Sequence, residues 1–126
     1  MPRSRLIIDG YNVTMEAYPS ASLEAQRSRL VAALAPLVAR TGAETTVVFD
    51  AASSGSRSVM PSPRGVKVVF SPEGVIADDV IRQLVAAEPG GRVVVVVTSD
   101  QELANDVARD GSRVMPAGVM INLIQG

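Results

Sequence analysis

The chain contains no cysteine and no histidine. The absence of cysteine excludes disulfide bonds, thiolate zinc sites and a thiol nucleophile, and the absence of histidine removes the commonest general base and metal ligand. Acid–base chemistry must therefore come from carboxylates, lysine, tyrosine or metal-bound water. The oxygen ligands that remain favour a hard cation such as Mg²⁺ over a transition metal.

Long apolar runs and aromatic residues are also scarce. No apolar stretch reaches the roughly 18 residues that a membrane-spanning helix needs, and the amino-terminal sequence lacks the apolar region of a signal peptide. We therefore expect a cytoplasmic protein that makes no contact with a membrane. Apolar residues make up 47% of the 126-residue chain and aromatic residues only 3%. This composition predicts a single α/β domain over residues 1–126 with an aliphatic core.

Short apolar strands that each end in an aspartate organise the sequence. Leu6–Asn12 reads LIIDGYN, Thr45–Asp50 reads TTVVFD, and Arg92–Asp100 reads RVVVVVTSD. Uninterrupted apolar strands are typical of a parallel sheet that is buried on both faces. Because such strands alternate with helical patterns along the chain, we predict a three-layer α/β/α fold with a central parallel sheet in the order 3-2-1-4-5.

The other elements follow from apolar periodicity and turn residues. The predicted elements are helices over Leu23–Arg40, Ile76–Glu88 and Gln101–Arg109, and further strands over Val66–Phe70, Val93–Val97 and Arg113–Met115. Val13–Ala21 is expected to be an irregular link, and Ala51–Gly65 a loop. Pro36 should kink the first helix or end its regular part early. Val119–Ile124 is expected to form a last helical turn or two.

Acidic residues are predicted to converge at one edge of this sheet. In an open parallel sheet, ligands bind outside the carboxyl ends of the strands where the chain order reverses, here between strands one and four. Asp9 and Asp100 would flank that crevice, and Asp50 would approach from the next strand. Asp78 and Asp79 would enter from the helix after strand three. Converging carboxylates need a cation, so we predict that these five bind Mg²⁺, with Mn²⁺ able to replace it.

Several of these acids also have a structural interpretation. Asp100 lies in a capping box in which Ser99 would cap the helix and Glu102 would reciprocate. Asp78 and Asp79 lie in a first helical turn, where acidic residues suit the helix dipole. What favours a functional interpretation is the convergence of all these acids at one edge.

Two further residues are open to the same two interpretations. Asp50 precedes a segment rich in serine and glycine and could be a turn former. Asn12 could cap a turn, but an amide three residues after Asp9 could also orient a metal-bound water or a phosphate.

Four motifs occur in a characteristic order: LIIDGYN, VVFDA, SPEGVIADDVIRQLV and VVVVTSDQELANDV. Together they resemble the NYN domain of the YacP-like group, within the PIN-like ribonuclease superfamily, and the similarity extends over residues 6–115. The resemblance implies a PIN-like fold and a Mg²⁺-dependent endoribonuclease that cleaves single-stranded RNA, with the ribosome as a candidate partner. It places Asp9, Asp78 and Asp100 in the acidic triad positions, Asn12 in the family's asparagine position, and Asp50 as an added acid.

One position departs from the family pattern. YacP-like members often carry a glutamate four residues after the first helical aspartate, where this chain has Arg82, and Asp79 is the available substitute. An alternative function is therefore a catalytically weak RNA-binding module of the same fold. A phosphoacceptor receiver domain is a third alternative, but the chain lacks the acidic pair after strand one and the lysine after strand five that such domains carry.

Arginine residues are the predicted contacts to RNA. The formal net charge is −1, but it becomes positive once the five aspartates are assigned to a metal site. Arg57 and Arg64 are the main candidates, because their loop leaves the sheet at the same edge as Asp50 and a site that follows an RNA backbone needs cations there. Arg27 and Arg29 on the first helix are weaker candidates.

Overall fold

A five-stranded parallel sheet runs through the centre of the protein. The computed structural model describes residues 3–51 and 62–125. The strands are β1 (Arg5–Asp9), β2 (Glu44–Phe49), β3 (Val66–Phe70), β4 (Val94–Val97) and β5 (Arg113–Met115). Their order is β3-β2-β1-β4-β5, and every neighbouring pair is parallel. The predicted strand order is confirmed, and it places β1 between β2 and β4.

Five helices of the described residues flank the sheet. They are α1 (Gly10–Ala17), α2 (Leu23–Thr41), α3 (Ala77–Ala87), α4 (Gln101–Arg109) and α5 (Ala117–Gln125). A lipid bilayer could not be spanned by any helix in the two described ranges, given their lengths and hydropathy. Most of the predicted loop, residues 52–61, lies outside the described residues.

Alternate residues of the central strands enter two separate cores. Ile8, Phe49 and Val97 pack beneath α1, α2 and α5 on one face. Ile7 and Val96 pack beneath α3 and α4 on the other face. Full burial of one such aliphatic side chain contributes about 1.5–3 kcal/mol. The predicted three-layer architecture is therefore confirmed, and both faces of the sheet contribute to the stability that holds its edges in place.

Ion pairs join the elements at the amino-terminal edge of the sheet. Arg5 is buried, its Nη1 donates to Thr46 Oγ1 at 2.9 Å, and its Nε lies 3.4 Å from a carboxylate oxygen of Glu88. Arg92 Nη2 donates to Glu44 at 2.6 Å, and Arg92 Nε donates to Glu88. Basic and acidic side chains are therefore matched at this edge.

Helix α1 is the element that the sequence did not predict. The expectation of an irregular link from residue 13 is wrong, because the chain enters α1 directly after β1. Its segment is short and contains residues of low helix propensity, so propensity alone gives no helix. Packing provides the stability instead: Val13 is fully buried, and the buried Thr14 hydroxyl donates to Gln26 Oε1 of α2 at 2.9 Å.

Pro36 does not end α2. The helix continues through it to Thr41 and ends at Gly42, whose φ of 69° is the left-handed conformation that favours glycine. The other predicted helices agree with the structure to within one residue, and the last helical turns extend to a full helix, α5. Here too burial outweighs the local cost, because Leu34, Leu37 and Val38 around the proline are buried in the core.

Gly10 is expected to be essential for the placement of α1. A Cβ at this position would lie 2.4 Å from the Phe49 ring and 3.0 Å from the Val48 carbonyl oxygen. Gly10→Ala should therefore lower the free energy of unfolding by about 1–3 kcal/mol, the usual cost of overpacking. Gly118→Ala is the matched control, because no atom lies within 4 Å of its added Cβ. In a helix this control should be stabilising by up to about 1 kcal/mol. Urea unfolding measures both, and equal effects would contradict the close approach at Gly10.

Candidate active site

The carboxyl-terminal edge of the sheet brings several acidic side chains into one region. Asp9 ends β1, Asp50 follows β2, and Asp100 follows β4 after a two-residue turn, while Asp78 lies in the first turn of α3. The charges of the other three all act on Asp9. Because the strand order reverses between β1 and β4, this region is the crevice in which open parallel sheets bind ligands.

Asp9 is the buried centre of this region. Its residue is 8% exposed, and the fully enclosed hydroxyl of Thr98 donates to its Oδ2 at 3.0 Å. Burial raises the pKa of Asp9 to about 7; the Thr98 hydrogen bond opposes this shift, and the charges of Asp78, Asp100 and Asp50 add to it. A carboxylate in this setting lacks the solvation that stabilises its charge, so a bound cation would stabilise it strongly.

Asp100 is the residue that caps α4. Its Oδ1 accepts a hydrogen bond from Leu103 N at 3.0 Å, and its own N–H donates to Thr98 Oγ1 at 3.1 Å. The prediction that Ser99 is the capping residue is wrong. Because the cap occupies one oxygen, the other carboxylate oxygen of Asp100 is the one that can take part in the site, so the structural and functional interpretations are compatible.

Ser99 joins three elements instead. Its N–H donates to Asn12 Oδ1 at 2.7 Å, and its Oγ accepts from Ala117 N at 2.9 Å. A backbone N–H can only donate, so the contact identifies the Asn12 atom as oxygen. The amide NH₂ of Asn12 is therefore the group that can donate to a water or a phosphate. Asn12 is thus held at the crevice by its oxygen, which agrees with both interpretations of this residue.

Asp78 and Asp79 differ in their surroundings although they are adjacent. Burial and the charge of Asp100 raise the pKa of Asp78, whereas the charge of Arg82 lowers it. The Asp79 side chain is 54% exposed and accepts from Arg82 Nη1 at 2.9 Å. Arg82 Nε also donates to Asp106 of α4 at 2.9 Å. This ion pair is at odds with the predicted role of Asp79 as a metal ligand.

Comparisons with known proteins identify the family. The sequence matches the YacP-like NYN domain over residues 6–126. This chain belongs to the YacP-like NYN domain family. No curated protein matches the sequence.

Solved structures support this assignment of the NYN domain. The crystal structure of Rae1 (YacP) from Bacillus subtilis is similar with a TM-score of 0.81 and 26% sequence identity, over 99% of this chain and 74% of that chain. Its W164L mutant is similar with a TM-score of 0.79 and 26% identity, over 96% of this chain and 74% of that chain. The predicted family and PIN-like fold are confirmed, and the family is one of PIN-like nucleases.

The oxygen donors of the NYN domain fit a hydrated Mg²⁺ ion. Among residues 3–51 and 62–125, no three acidic side chains stand close enough to ligate one ion together. This spacing does not conflict with Mg²⁺, which keeps several waters and binds through only one or two carboxylates. The buried Asp9 carboxylate and the second oxygen of Asp100 are oxygen ligands of the type that such a hydrated ion takes.

Two of the predicted RNA-binding arginines lie on α2. Arg27 is only 4% exposed, its Nη1 donates to the Tyr11 hydroxyl at 2.9 Å, and its guanidinium lies 5.7 Å from the centre of the Phe70 ring. This burial is at odds with the prediction that Arg27 contacts RNA. Arg29 is exposed, with its guanidinium 5.6 Å from the centre of the Tyr18 ring, and stays a candidate.

The other two predicted arginines lie between β2 and β3 in the sequence. Arg57 lies outside the described residues. Arg64 is exposed and lies two residues before Val66, which pairs with Thr45 at the start of β2. It therefore lies at the amino-terminal edge of the sheet, about a strand length or roughly 16 Å from the acidic edge. This position is at odds with the prediction that Arg64 contacts RNA.

Thr98 and Ser99 are the residues that the sequence reasoning missed. The sequence pattern predicts no role for Thr98 and only a helix cap for Ser99. A signal was present, because the all-valine strand ends in Thr-Ser-Asp. Three polar residues in a row after a central strand must lie at the ligand-binding edge, where their side chains can orient neighbouring groups.

Asp9→Asn is expected to change the pH dependence of stability in metal-free protein. Because the pKa of Asp9 is raised from 3.8 to about 7 on folding, the folded state binds this proton more tightly than the unfolded chain. The resulting stability is present below about pH 4 and is lost as the pH rises through about 7. The parent should therefore melt at a lower temperature at pH 8 than at pH 5. The melting temperature of Asp9→Asn should fall less between these two pH values.

Thermal melts of both proteins without metal measure this difference. Asp110→Asn serves as the control, because this exposed aspartate follows the far end of α4. At pH 8 the Asp9→Asn protein should melt higher than the parent. A lower melting temperature, with an unchanged pH slope, would make Asp9 a structural turn residue.

Proposed function

We propose that this NYN domain is a Mg²⁺-dependent endoribonuclease that cleaves single-stranded RNA. The observation that carries the proposal is the buried Asp9 carboxylate, which lies at the crevice of the sheet among other acids. Keeping a carboxylate in such a place weakens the metal-free fold, so its presence is best explained by a cation that binds there during function.

The hydrogen bonds of each side chain determine which of its atoms can contact the ion or the RNA. Thr98 donates a hydrogen bond to Asp9 Oδ2, which leaves Oδ1 as the oxygen that can ligate an ion. The Asn12 NH₂ donates to a phosphate oxygen or to the attacking water, because its oxygen is held by Ser99. Asp100 contributes the oxygen that does not cap α4. Bound Mg²⁺ would supply activation of the water and stabilisation of negative charge at phosphorus.

Cleavage assays with matched variants test the proposal. The parent should cut single-stranded RNA with Mg²⁺ or Mn²⁺ and not with EDTA. Asp9→Asn and Asp100→Asn should each lower the rate by at least about a hundredfold, and asparagine at residue 100 keeps an oxygen for the helix cap. Asp110→Asn should cleave like the parent. Equal rates in all four proteins, or cleavage in EDTA, would contradict the proposal.

A second candidate function is an RNA-binding module with weak or no catalysis. The ion pair between Arg82 and Asp79 favours it, because it occupies the acid that could have replaced the missing family glutamate. Metal-independent binding without any cleaved product would support this alternative. In either case we propose RNA as the partner and the cytoplasm as the location, and co-sedimentation with ribosomes would test the ribosome as the site of action.

Arg29→Ala should weaken RNA binding and flatten its salt dependence. Loss of one phosphate contact on a single strand changes the slope of log K against log salt by about 0.7. Arg64→Ala is the matched control, because it removes the same charge at the amino-terminal edge of the sheet. Fluorescence anisotropy in EDTA measures both slopes. If Arg64→Ala changes the slope and Arg29→Ala does not, the RNA path runs along the opposite edge.

A further inference from the structure

A surface cavity opens between α4 and β5, beside the acidic crevice. Its volume is about 370 Å³, which is within the range of small-ligand sites. Thr98 and Ser99 contribute to its lining. Because these two residues hold Asp9 and Asn12 by hydrogen bonds, a group in the cavity would be a close neighbour of any phosphate bound at the crevice.

Half of the residues that line the cavity are apolar. Ala104 and Ala108 line it from α4, and Val114 and Pro116 line it from β5 and the residue that follows. Such walls suit the faces of a flat ring, which gain dispersion energy there without needing hydrogen bonds. A phosphate or a sugar would find no polar side chain on this apolar part of the lining.

A pair of amides provides the polar edge. Gln101 and Asn105 also line the cavity, and Gln101 Nε2 donates to Asn105 Oδ1 at 2.9 Å. This contact leaves the Gln101 Oε1 as an acceptor and both protons of the Asn105 Nδ2 group as donors. A neighbouring donor and acceptor match the hydrogen-bonding edge of a nucleobase.

We propose that this cavity binds the base of a nucleotide next to the cleaved phosphate, with Gln101 and Asn105 as specificity-determining residues. The placement beside the cleaved bond rests on the proposed nuclease function. The binding of a base does not depend on that function, because the cavity lining and the amide pair contain none of the carboxylates of the acidic crevice. A Gln–Asn pair at this spacing also stabilises a helix, so the test needs a readout that helix stability does not change.

The test compares RNA that carries or lacks one base. A single-stranded oligonucleotide is made intact and with an abasic site at each position in turn, and its binding is measured in EDTA with Asp9→Asn protein. With the amide pair present, loss of one particular base should weaken binding roughly tenfold, the effect of losing one donor–acceptor pair to a base edge. With Gln101→Ala and Asn105→Ala added, the same loss should change binding less than twofold.

Matched controls distinguish base binding in the cavity from the effects of removing amide side chains elsewhere on the surface. Gln83→Ala with Asn122→Ala removes the same two residue types from exposed positions on α3 and α5, and it should keep the tenfold difference. Ala104→Leu fills the cavity from the helix wall without removing an amide, and it should abolish the difference. An equal loss in all proteins, or no detectable binding of RNA, would overturn the inference.

Cleavage of a randomised RNA pool by proteins that keep Asp9 provides the second readout. Sequencing of the product ends should show a base preference at one position beside the cut, and the Gln101→Ala and Asn105→Ala protein should lose that preference while it still cuts. Base-sensitive binding without any cleavage would contradict the nuclease proposal and leave the base site supported. Cleavage with an unchanged preference would contradict the base site alone.

Discussion

The cost of burying the Asp9 carboxylate is the constraint on which the acidic edge depends. Asp9 belongs to the central strand, and the same register that aligns it with Val48 of β2 removes it from water. A single hydrogen bond from Thr98 only partly offsets the lost solvation. The Asp9 carboxyl group therefore takes up a proton near neutral pH in the metal-free protein. Its ionised form is favoured only when a positively charged partner is present.

Backbone and hydroxyl groups, rather than the acids themselves, hold this edge together. The Asp100 N–H donates to Thr98, and Thr98 donates to Asp9, so the ends of β1 and β4 are linked in one chain of hydrogen bonds. Ser99 links α1 and α5 to the same turn. Substitutions at these two uncharged residues would therefore disturb the acidic side chains without removing any of them.

The strands and four of the helices were predictable because each depends on local patterns: apolar runs, period, capping and turn residues. The strand order was predictable from the rules for connections between parallel strands. Helix α1 was not, since it depends on Gly10 fitting against Phe49, a contact between residues far apart in the chain. For the same reason the burial of Arg27 beneath Tyr11 and Phe70 could not be foreseen. The position of Arg64 was predictable, because a crossover between parallel strands must return to the opposite edge before the next strand begins.

The acids at the crevice were predictable as a set because every parallel strand ends at one edge, but their individual surroundings were not. The exposed pair between Asp79 and Arg82 depends on the packing of α3 against α4, which brings Asp106 within reach of the same guanidinium. Sequence spacing alone treats Asp78 and Asp79 alike, whereas the structure separates them by burial.

The matched charges at the amino-terminal edge affect how the stability of the protein responds to ionic strength. Dissolved salt screens attraction and repulsion alike, but it acts less on buried pairs than on exposed ones. Arg5 and Glu88 have side chains that are each only 10% exposed, so their attraction should be little affected. The less buried acids across the sheet should be screened more, which relieves their repulsion. Monovalent salt should therefore reduce the repulsion at the acidic edge of the metal-free protein above neutral pH, and a bound divalent ion should remove most of that benefit.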